Sequence, residues 1–180
     1  MDAIRLRQEY PPRAHNEEGE LILASLLLLQ LAAGETARTA HGVSDGRTVT
    51  ACGAFEFRVP AGTEARSGVA IDSCAKSFDG PGFSLAYDYG VYSGELKNAE
   101  RDPHFHSARI VVHGKPATVV SGPGAGVCPG SQMIMGIDID NFAPNGLLRP
   151  PNALAMWGCV QRPESVQTLG AIFQSIRHIY

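Results

Sequence analysis

Cys52, Cys74, Cys128 and Cys159 are the residues whose chemistry depends most on their neighbours. A thiol acts as a nucleophile only where its pKa is lowered. No spacing in the chain sets Ser, Cys, His and Asp out as a nucleophile with its base, and there is no G-x-S-x-G elbow. The cysteines are therefore read as disulfide partners. Four cysteines permit three connectivities, and strand register supplies a criterion. With one strand ending at Pro60 and the next beginning at Gly68, Cys52 and Cys74 lie nearly opposite each other on the polar parity. In a later hairpin, pairing Met133, Met135 and Ile137 with Gly158, Met156 and Leu154 sets Cys159 opposite Gln132, and a Pro129-Gly130 turn folds Cys128 back towards it. The expected links are Cys52–Cys74 and Cys128–Cys159. Such links belong to an oxidising compartment, and four unpaired thiols in the cytosol are the alternative.

The densest histidine group is His104-x-His106, with His113 a strand-length further on. In an extended segment His104 and His106 share a face and could hold Zn or Cu. Asp102 and Pro103 mark a loop there, so the pair is read as solvated, and neither a metal nor any other cofactor is expected. Asp88, Tyr89 and Tyr92, with Gly90 and Ser93 between and beside them, form the most distinctive polar and aromatic cluster. It fits a binding rim, because Tyr offers an apolar ring and a hydrogen-bonding tip. The preferred reading is a strand-ending turn in which Gly90 takes a positive φ. Gly122-Pro123-Gly124-Ala125-Gly126 lacks the Lys-Ser/Thr of a phosphate loop, and the stretch from Ser121 to Gly130 is read as a mobile loop.

Period-two alternation defines the elements that must position these groups. Phe55, Phe57 and Val59 alternate with Glu56 and Arg58; Val69 to Phe78 gives a second strand and Phe83, Leu85 and Tyr87 a third. Arg109–His113 and Ala117–Val120 flank a turn, Met133 to Ile139 alternates again, and Ala153–Val160 is the last strand. After Pro163-Glu164 the spacing turns helical through Val166, Leu169, Ile172 or Phe173, and Ile176. Strands joined by short turns and closed by one amphipathic helix define an α+β domain, an antiparallel β-sheet with a C-terminal helix packed on it.

The chain has 180 residues, is 44% hydrophobic and 18% charged, and carries a formal net charge of −3. That suits one folded domain, and with no basic block it favours neither nucleic acid nor an anionic membrane as partner. The apolar run Leu21–Ala33 is shorter than the roughly 20 residues that span a bilayer. Its length and the following Ala32-Ala33-Gly34 suit a secretory signal peptide cleaved after Gly34, although Glu17, Glu18 and Glu20 precede it; an ordinary helix is the alternative. The expected organisation is a targeting segment over residues 1–34, a flexible lead over 35–50 with the boundary near Val49, and a single domain over 51–180.

Val59–Gly62 (VPAG), Gly68–Cys74 (GVAIDSC), Tyr87–Ser93 (YDYGVYS), Ile110–Val120 (IVVHGKPATVV) and Ala171–His178 (AIFQSIRH) together resemble an uncharacterised group of bacterial proteins, itself distantly similar to the Mog1/PsbP-like fold. The similarity covers about residues 54 to 178. It implies a sandwich on an antiparallel sheet and a binding or assembly role, and it carries over no catalytic residue. The leading expectation is an exported, periplasmic or secreted, non-catalytic domain that binds a protein or small ligand through loops at one sheet edge. The competing one is a hydrolase or metal-dependent enzyme using His104 and His106 with Asp102 or Asp88.

Overall fold

The computed structural model describes residues 45–66, 73–91, 93–94, 96, 102–124, 128–142 and 152–179. The described residues form ten strands and one helix: β1 Arg47–Ala51, β2 Phe55–Val59, β3 Glu64–Arg66, β4 Cys74–Gly80, β5 Phe83–Gly90, β6 His106–Val112, β7 Lys115–Pro123, β8 Met133–Ile139, β9 Ala153–Val160, α1 Ser165–Gln174 and β10 Arg177–His178. Every strand pairing among the described residues is antiparallel. The strands form two sheets, one of three strands in the order β1-β2-β10 and one of seven in the order β3-β4-β5-β9-β8-β7-β6. The α+β class with its C-terminal helix is as the periodicity predicts.

Alternation places Phe83, Leu85, Tyr87 and Tyr89 of β5 on one face of the large sheet with Leu154 and Met156 of β9 and Met135, Ile137 and Ile139 of β8, all buried. Against this inner face pack Phe55 and Phe57 of the small sheet. The aromatic rings meet edge-on, Phe55 with Tyr87 at 5.3 Å and Phe57 with Phe78 at 5.7 Å between centroids, the arrangement their quadrupoles favour. The helix completes the layer. Ser165, Leu169, Ile172 and Phe173 lie on one side of it and are buried, with Ile176 just beyond. Gly158 makes the close approach possible: a Cβ there would stand 2.6 Å from Leu169 Cδ2. At the helix end the Ser175 hydroxyl donates to the Ile172 carbonyl (2.7 Å) and accepts from the Arg58 amide (2.9 Å), joining α1 to β2.

Three expectations are corrected. The first strand does not form a hairpin with the strand of Cys74: β2 pairs with β1 and β10, whereas β4 pairs with β3 and β5 in the other sheet. Strand pairing already begins at Arg47, inside the stretch read as a flexible lead. The β8–β9 register is displaced by two residues, with Met133 opposite Val160 and Met135 opposite Gly158, so Cys159 faces Ile134 rather than Gln132. Both expected disulfides are nevertheless formed, Cys52–Cys74 and Cys128–Cys159. Cys52 sits in the β1–β2 turn with a left-handed φ of 58°, and its link to the start of β4 ties one sheet to the other. Two such links are consistent with an oxidising location.

Burial raises the pKa of Tyr87 above its ordinary value of 10.0. A phenol that stays protonated in the fold while it ionises in the unfolded chain leaves stability unchanged below that value and lowers it as pH rises above it. Urea unfolding at about pH 8 and about pH 11 should show this loss in the natural chain and a smaller one in Tyr87→Phe.

Candidate binding groove

Beyond the cysteines, the candidate binding residues Asp88 and Tyr89 are not brought together, because they are consecutive on β5. Tyr89 faces the core, 8% exposed, and its hydroxyl accepts a hydrogen bond from Asn152 Nδ2 at 3.1 Å. Asp88 is its neighbour on β5 and so projects from the opposite, outer face, where Oδ1 is buried with no hydrogen-bond partner among the described residues. Tyr92 lies outside the described residues, as does the Leu21–Ala33 run. His104 is exposed, its backbone amide donating to Asp102 Oδ1 at 2.9 Å, while His106 opens β6 opposite Ser121. No group of three or more His, Cys, Asp or Glu among the described residues could hold a metal.

The stretch from Ser121 to Gly130, expected to be mobile, is anchored at both ends. Ser121 to Pro123 belong to β7, the Gly124 amide donates to the Gln132 carbonyl (3.0 Å), and Cys128 is buried in its disulfide. Residues 125–127 lie outside the described residues.

Two depressions lie among the described residues. One, of about 240 Å³, lies among Thr48, Glu56, Arg58, His113, Ser175 and Arg177. Its polar groups hold the layers together, because Glu56 is ion-paired with Arg177 of β10 and Ser175 joins α1 to β2. It is a seam between elements.

The other is a groove of about 190 Å³ on the outer face of the large sheet. Register explains its shape. Arg66, Ser77, Ala86 and Trp157 stand side by side on β3, β4, β5 and β9, and Asp79, Ser84 and Cys159 form the next row on β4, β5 and β9. At ~4.8 Å per strand the first row is about 14 Å long. Trp157 is half-buried and is the only tryptophan in the chain. Its cross-strand neighbours are small, Ala86 on one side and Gly136 on the other. Leu96 lies over Gly136, where a Cβ would stand 2.4 Å from its Cδ1, so the Gly136 side is covered and the groove runs over Ala86. The far end is closed by the Arg66–Asp79 ion pair. The Cys128–Cys159 link lies in the groove wall and fixes the strand that carries Trp157.

Chemically the groove offers an indole, two hydroxyls and a paired guanidinium and carboxylate on strands that cannot shift without breaking the sheet. Sequence reading passed over Trp157. The signal was present in β9, where the outward parity reads Ala153, Ala155, Trp157 and Cys159, one large ring among small residues. Compared with known proteins, the chain matches no family model and no curated protein.

Proposed function

We propose that the chain is an exported binding domain, a disulfide-tied sandwich that presents the outer-face groove beside Trp157 to a ligand. The observation that carries this is the half-buried indole set among Ser77, Ser84 and Ala86 on a rigid sheet. A surface tryptophan flanked by hydrogen-bonding groups is a feature of recognition sites, where one large ring contributes contact area at little entropic cost. The pairing of all four cysteines supports export, and the Leu21–Ala33 run supplies the targeting segment of this proposal. The resemblance to the group related to the Mog1/PsbP-like fold points to the same kind of role, since members of that fold serve as binding or assembly factors. This proposal sets the ligand surface on the sheet face, in place of the loops at a sheet edge expected from sequence.

The test is an NMR titration of the oxidised domain with an extract of the cell envelope. Amide shifts confined to the outward residues of β4, β5 and β9 are expected, and Ser77→Arg, which fills the groove, should remove them. Shifts scattered over the surface, or unchanged by Ser77→Arg, would contradict the proposal.

A further inference from the structure

We infer that the groove is a saccharide site that takes one pyranose ring of a neutral oligosaccharide. This rests on the binding reading above and specifies its ligand. A pyranose has a face of C–H groups and a rim of hydroxyls, each both donor and acceptor. Its recognition calls for an aromatic plate to cover the face and a fringe of mixed hydrogen-bonding groups to meet the rim. Trp157 is such a plate, with the small Ala86 beside it on the groove side. Ser77 and Ser84 supply hydroxyls that donate and accept, one in the row of Trp157 and one in the next. Arg66 and Asp79 close the far end with planar donors and acceptors.

Charge and size narrow the class. Arg66 and Asp79 neutralise each other, so the groove has no net charge that would draw an anion or a cation. A neutral polyol needs none. The volume of about 190 Å³ is below the ~300 Å³ at which sites for drug-sized ligands begin. It suits a single ring, bounded on the β3 side by the Arg66–Asp79 pair. All of the contact groups stand on paired strands, so little ordering cost is added on binding.

Because Trp157 is the only tryptophan, indole emission reports on this groove alone. The oxidised domain is titrated with cellotetraose, maltotetraose and tri-N-acetylchitotriose, and in parallel with inorganic phosphate and with an acidic and a basic tetrapeptide. The expected result is a saturable change in Trp157 emission with at least one saccharide, at a Kd of about 1 mM for a one-ring site, and none with phosphate. Ser84→Arg should weaken that binding at least tenfold. Asp79→Asn, a milder change, should weaken it severalfold, and both variants should keep the two disulfides and the melting transition. Emission that responds to a tetrapeptide but to none of the saccharides would overturn the saccharide assignment and leave the groove as a binding surface. Emission that responds to no probe, together with envelope-extract shifts that avoid β4, β5 and β9, would overturn both.

Discussion

Ending the chain at Pro163 is expected to leave a product with no cooperative unfolding transition. The lost segment carries Leu169, Ile172, Phe173 and Ile176, each at 0% exposure. Burial of one such side chain contributes roughly 1.5 to 3 kcal/mol, so together they contribute about 6 to 12 kcal/mol, as much as the whole net stability of a typical domain. The damage extends beyond those side chains. Gly158 has no side chain because Leu169 fills its place, so removal of the helix opens a void over β9. β10 pairs with β2 through Arg177 and His178, and its loss strips the small sheet of one of its three strands. Urea denaturation followed by circular dichroism, with a dye that binds exposed apolar surface, measures this. The truncated chain should bind dye in buffer and lose signal gradually. A sharp transition in the truncated chain would show that the two sheets hold together without α1.

The disulfides have the second largest expected effect. Cys52–Cys74 closes a loop of 22 residues and Cys128–Cys159 one of 31. On the chain-entropy account these restrain the unfolded state by about 3.4 and about 3.7 kcal/mol. Replacing one pair by serines should therefore lower unfolding free energy by about 3 to 4 kcal/mol while the fold survives, and replacing both should remove about 7 kcal/mol, half or more of what a domain of this size has. The two pairs should fail in different places. Without Cys52–Cys74 the small sheet loses its covalent tie to β4, so hydrogen exchange should rise in β1 and β2 first. Without Cys128–Cys159 it should rise around Ser131 and at the end of β9. A double variant as stable as the parent would show the links to be energetically idle.

Much of the fold was legible because alternation reports which face a residue occupies. Phe55–Val59, Met133–Ile139 and Ala153–Val160 emerge as strands at their observed bounds. Register was less legible for a physical reason: a shift of two residues keeps every side chain on its own face, so alternation cannot distinguish the expected β8–β9 pairing from the observed one. Both cysteine pairs were reached through hairpins that differ from the real ones. Cys52 meets Cys74 because the β1–β2 turn lies over the start of β4, a contact between sheets that no local pattern encodes. β1 has only Val49 and Ala51 as apolar residues, β3 is Glu64-Ala65-Arg66, and β10 is two residues long; none offers a period to read. The groove was illegible in the same sense. Arg66, Ser77, Ala86 and Trp157 become neighbours only through the sheet order β3-β4-β5-β9. Asp88 and Tyr89 drew attention as adjacent polar groups, yet adjacency along a strand sends side chains to opposite faces.

Export of a disulfide-tied domain is tested most directly by peptide mapping without reduction, on native protein recovered separately from the medium, the envelope and the cytosol with thiols blocked at lysis. An exported domain gives linked peptides joining Cys52 to Cys74 and Cys128 to Cys159 in the medium or envelope, on a chain that begins after the Leu21–Ala33 run. Full-length chain confined to the cytosol with all four thiols free would contradict it.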